Sequence, residues 1–113
     1  MNVGSFLEAV AKSGKPVTYQ EVVNAFPSLP PLDGAWGTHP LSRIFETLDQ
    51  EDAQKKRPFR TSVVIKKDKQ SQQPGQGFFE ALERLKGIKC RNDAARQTAW
   101  ITEMNAAFAF AWP

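Results

Sequence analysis

Cysteine is nearly missing from this chain. Cys90 is the only thiol, so no internal disulfide can form, and a reducing, cytoplasmic setting is the simplest expectation. Histidine is as scarce. His39 stands alone, so a cage built from several His and Cys ligands cannot be assembled and no metal is expected. Phosphate-cradling and dinucleotide glycine patterns are also missing, and no cofactor is expected; "GQGFF" at 75–79 is too short and lacks the flanking pattern. No apolar run approaches the ~20 residues that cross a bilayer. The opening MNVGSFLEAVAKSGK lacks the basic start and unbroken apolar stretch of a secretory signal.

Catalytic constellations are equally thin. Ser42 and His39 have no orienting acid in sequence reach. Asp49 and Asp52, three apart on the third predicted helix, read as two carboxylates on a solvated face rather than an acid–base pair. Cys90 reads as a small buried hydrophobe, although Lys89 and Arg91 flank it. No enzyme is expected.

What is present is an ordinary globular mixture, 41% apolar and 24% charged over 113 residues. That suits one domain with one core, residues 1–113. Val3, Phe6, Leu7 and Val10 fall at helical spacing, which predicts a first helix over 3–13 stopped by Gly14. Thr18 and Glu21 form a capping-box pattern before a second helix with Tyr19, Val22, Val23 and Phe26 on one face. Residues 27–40 hold four of the eight prolines and must form a long loop, with Leu29, Leu32 and Trp36 as anchors. Pro40 opens a third helix with a buried stripe of Leu41, Ile44, Phe45 and Leu48, fraying near 53–56.

"RTSVVIKK" is the strongest strand pattern of the chain. The loop "DKQSQQPGQG" after it has the length of a hairpin tip or wing, and its glutamines suit either base contacts or solvent. A fourth helix, "FFEALERLKG", is stopped by Gly87; "IKCR" reads as a second short strand. Asn92 or Asp93 caps a fifth helix with Trp100, Ile101, Met104 and Phe108 on its apolar face. The tail "AAFAFAWP" must either bury against the domain or serve a partner, and burial is the preferred reading. The expected fold is α+β and mainly helical: a helical part over 1–56, a strand and wing over 57–77, and C-terminal helices over 78–113.

Charge is distributed unevenly. Residues 54–69 carry Lys55, Lys56, Arg57, Arg60, Lys66, Lys67 and Lys69 against Asp68 alone, so this window is +6 while the chain as a whole is +3. A directional field of that kind suits an anionic partner, although a solvated face around a strand has the same signature.

The order of helix, extended "PVTY", helix, loop, helix, strand, glycine-containing loop and helix is winged-helix-like. "VTYQEV", "SRIFETL", "RPFRTSVVI" and "PGQGFFEALERL" together resemble the DNA-binding domain of alkylguanine DNA alkyltransferases and the alkyltransferase-like proteins, over residues 15–86. The resemblance implies a DNA-binding winged-helix-like domain. It also implies a reactive cysteine after the proline of the strand, where this chain has Phe59, so the transfer chemistry is not carried across. Arg43 lies near the family's base-stack-inserting arginine without a secure register. Arg57-Pro58, Thr61–Ile65 and Pro74–Phe78 also resemble small domains that precede HNH nucleases or stand alone in bacterial and mobile-element genomes, which implies a targeting or interaction module.

Two functional readings follow. In the first, the chain is a non-enzymatic DNA-binding module whose seven basic residues meet phosphates, with little base reading; the acidic residues Glu46, Asp49, Glu51 and Asp52 then shift contacts away from helix three. In the second, it is a protein-interaction module, an adaptor, immunity or anti-defence factor of a mobile element, docking through the Trp36 loop, the acidic helix three or the apolar tail.

Overall fold

A computed structural model describes residues 2–67 and 73–113. Five helices surround a buried extended segment. The first, α1 (Val3–Ser13), is capped by the Asn2 side chain on the Ser5 amide, and Gly14 ends it at φ 74°, a left-handed conformation that costs glycine little. Val17–Thr18 forms the short strand β1. Thr18 then caps α2 (Tyr19–Ala25) with the reciprocal Glu21 bond of a capping box.

The proline-rich stretch runs without α-helix to α3 (Pro40–Gln54), interrupted only by a 3₁₀ turn at Trp36–Thr38. Leu29 and Leu32 pack against the core from this loop. His39 caps α3: its Nδ1 accepts from the Leu41 amide at 3.1 Å, and its Nε2 donates to the Pro30 carbonyl at 2.8 Å. Both ring nitrogens therefore hold the loop to the helix, as expected for a helix-start residue. α4 (Gln76–Lys86) ends at left-handed Gly87, and α5 (Asp93–Ala109) starts from the Asn92 cap.

The expected long strand is a correction. Residues 60–63 form a 3₁₀ turn, and only β2 (Val64–Ile65) is strand, paired in parallel with β1 through Val17–Val64 and Thr18–Ile65. Residues 59–65 are all buried, and the turn packs on α1, α3 and α5. With helices on its sides, the segment has no ladder partner before Val64. Its backbone is satisfied locally and by side chains: the Ser62 amide and hydroxyl both donate to the Phe59 carbonyl, and Trp100 Nε1 donates to the Ser62 carbonyl at 2.9 Å. Packing has overridden β-propensity. Residues 88–91 are not a strand either. The expected wing has no second strand among the described residues, and its expected tip lies outside them; after β2 the Lys66 amide donates to the Gln73 carbonyl at 2.9 Å.

The core centres on Leu7, Leu41, Phe59, Val63, Val64 and Leu82, all fully buried. The tail joins it. Trp112 is buried, donates from Nε1 to the Ala107 carbonyl at 2.8 Å, and lies under the Arg57 guanidinium. No described helix is long and apolar enough to cross a membrane.

Candidate functional site

The basic window divides into three groups. Lys55 and Lys56 are exposed just beyond the C-terminus of α3, and Lys56 holds a positive φ of 54°. Lys66 and Lys67 are exposed after β2. Lys66 shares the lining of a cavity with Ser42, Phe45, Glu46 and Asp49 of α3. Lys69 lies outside the described residues.

Arg57 and Arg60 point inward instead. Asp52, fully buried, is the hub: it accepts from Arg57 Nε at 2.6 Å, from the Arg60 amide at 2.9 Å and from Arg60 Nε at 3.1 Å. The remaining Arg60 nitrogens reach Glu8 on α1 and Glu51, each at 3.1 Å. Burial disfavours the Arg60 charge, but these carboxylates outweigh it and raise its pKa. Every nitrogen of the Arg60 guanidinium is thus paired with a carboxylate, and phosphate contact through it would require disturbing a buried pair. Asp52 and Asp49 were expected on a solvated face; both are buried, and that expectation is corrected. The packing of the 57–61 segment against α3 supplies partners that spacing on the helix does not reveal.

A second charged knot sits under α4 and α5. Glu103 accepts from the Phe59 amide at 2.8 Å and pairs with Lys86, which also donates to the Arg57 carbonyl and lies over the Phe59 ring. Phe59, at the position where the resemblance calls for a cysteine, is wholly buried and edge-on to Phe78. Cys90 is half-buried beyond α4.

The inward turn of these charges changes the surface of α3. Glu51 is held by Arg60, and Asp49 and Asp52 are internal. The exposed stripe is left with Arg43, Thr47, Gln50 and Gln54, at successive spacings of four, three and four, with Glu46 at its edge. Apart from Arg43, which the resemblance placed near an inserted arginine, these positions carried no signal in the sequence beyond being polar on a helix.

Beside the stripe opens a cavity of about 680 Å³ between α3, α4 and the loops around residues 32–36 and 75–77. Its aromatic wall is a cluster: Trp36 is edge-on to Tyr19 at 5.2 Å and to Phe45 at 5.8 Å, and stacks on the His39 ring at 6.0 Å. Tyr19 accepts from the Gly75 amide at 2.8 Å, tying α2 to the start of α4; burial pushes its phenol up to about 12. Asp49 lines the same cavity and accepts from the Thr61 hydroxyl at 2.7 Å. Burial pushes its carboxyl up to about 7; the Thr61 bond opposes this, Asp52 adds to it, and Arg84 and Lys86 oppose it. Among the described residues no cluster of His, Cys, Asp and Glu is arranged to hold a metal ion.

No protein-family model matches the chain, and neither the curated proteins nor the solved structures compared with it contain a match.

Proposed function

We propose that the chain is a non-enzymatic DNA-binding module of winged-helix-like build, with α3 as the groove-facing element and the loop after β2 as the wing. The observation that carries this reading is the outer stripe of α3. It presents Arg43, Thr47, Gln50 and Gln54 opposite the buried face that holds Asp49 and Asp52, while the half-exposed Glu51 is paired with Arg60. Arginine and glutamine make bidentate contacts to guanine and adenine edges, and the threonine methyl suits thymine. Lys55 and Lys56 are exposed beyond the C-terminus of α3, and Lys66 and Lys67 are exposed after β2 with Lys66 lining the cavity beside α3, which commends the four as phosphate contacts.

The reading differs from a basic strand face. Arg57 and Arg60 hold the fold, while Lys55, Lys56, Lys66 and Lys67 supply affinity and α3 supplies selection. The buried Phe59 gives no nucleophile, so the activity is binding rather than transfer.

Fluorescence anisotropy of a labelled duplex across a salt series tests it. Four lysine–phosphate contacts give a slope of log K against log salt of about −3.6. Alanine at all four lysines flattens that slope, and Gln50→Ala narrows the difference between preferred and random duplexes. Absence of binding at low salt would overturn the reading.

A further inference from the structure

The cavity beside α3 is lined by groups of unusual balance. Its carboxyl groups are Asp33, Glu46, Asp49 and Glu80, against the cations Lys66 and Arg84. Asp49 is 4% exposed and its Oδ1 is taken by Thr61; among the described residues its Oδ2 makes no hydrogen bond. A largely buried carboxyl group with an oxygen left to the cavity, at the edge of an aromatic wall, is placed to receive a ligand's N–H donors. The volume matches that of small-molecule pockets.

We propose that this cavity is a binding site for a small organic cation of the amidinium or aromatic-ammonium type, with Asp49 as its counter-ion and Trp36, Tyr19 and Phe45 as its π surface. An amidinium offers two N–H donors to a carboxylate, and its delocalised charge is attracted to aromatic faces. An anion would meet the four carboxyl groups. The site shares Lys66 of its lining with the DNA reading but takes no ligand contact from it, and its test with a small cation is read without DNA.

Binding is linked to protons. Asp49 faces the Thr61 hydroxyl, Asp52 on its own helix, Arg84 and Lys86 on α4, and Tyr19 on α2; Lys66, Glu46, Glu80 and His39 share the cavity. A cation selects the ionised carboxylate, so affinity rises with pH and a proton is released on binding below neutrality. If only the ionised form binds, affinity rises about tenfold from pH 6 to pH 8, following the ionised fraction.

The test is calorimetric titration of the full chain with benzamidinium, and with neutral benzamide as its isostere, at pH 6 and pH 8. Benzamidinium is expected to bind about tenfold more tightly at pH 8, and benzamide to bind weakly at both. Asp49→Asn, with its fold checked by circular dichroism, removes the pH dependence. Trp36→Ala, in the loop, weakens binding while leaving the pH dependence in place. Failure of benzamidinium to bind, equal binding of benzamide, or a pH dependence that survives Asp49→Asn would overturn the proposal. The wild-type pH profile and the Trp36 variant keep the question decidable should Asp49→Asn fail to fold.

Discussion

Asp49 and Asp52 sit one turn apart on α3, are both buried, and have opposite surroundings. Asp52 receives Arg57, Arg60 and the Arg60 amide. Asp49 receives one hydroxyl and faces a cavity. The first carboxylate closes the fold around the 57–61 segment. The second is held where its charge is poorly compensated, which marks it as available to a ligand rather than to the scaffold. Burial alone therefore does not say what a carboxylate is for; its partners do.

The largest way to break this comparison is to remove the hub. Asp52→Ala leaves Arg57 and Arg60 without their shared carboxylate and should cost about 3–5 kcal/mol of unfolding free energy, measured by denaturant titration. A loss below about 1 kcal/mol, the range of exposed pairs, would place the network among incidental surface ion pairs.

Asp49 should behave oppositely. Its folded pKa of about 7 lies above the ordinary 3.8. Below 3.8 both states keep the proton and nothing is gained or lost. Above it the unfolded chain releases the proton while the fold retains it, so stability falls as pH rises until about 7. Asp49→Asn should therefore be more stable than the parent at pH 8, by up to about 4 kcal/mol, less the weakened Thr61 bond, and nearly equal to it at pH 4. Thermal melts at the two pH values check the sign.

A smaller effect probes how closely Arg60 is held. A Cβ on Gly4 would stand 2.7 Å from Arg60 Nη1, whereas one on Gly37 would meet nothing within 4 Å. Gly4→Ala should cost about 1–3 kcal/mol, and Gly37→Ala should stay within about 0.5 kcal/mol. The smallest stability effect belongs to the outer charges. Alanine at Lys66 and Lys67 should leave stability within about 0.5 kcal/mol while lowering the DNA salt slope by about 2.

Much of the fold was legible because its signals are local. Gly14, the Thr18–Glu21 box, Pro40, Gly87 and Asn92 mark helix ends where the structure has them, since a cap depends on residues within a turn. The "TSVVI" run was misleading for the converse reason. Only Val64–Ile65 pairs with a strand; the other β-branched side chains report burial, and helices surround Thr61–Val63. The basic window was legible as charge but not as direction. Arg57 and Arg60 follow Asp52 by five and eight residues, a short-range spacing that offered the one hint of their inward turn. The cavity joins α2, α3, α4 and two loops, and no stretch of sequence contains that juxtaposition. The exposed stripe of α3 lies opposite the apolar stripe, and Asp52, at i+4 from Leu48, continues that buried stripe.

The most direct test of this division between inner and outer charge is a nuclear magnetic resonance titration of the labelled protein with a short duplex. The account predicts perturbed signals at Arg43, Thr47, Gln50 and Gln54 and at Lys55, Lys56, Lys66 and Lys67, with Arg60 and Phe59 unmoved. Perturbation centred on residues 57–63, with α3 silent, would contradict it.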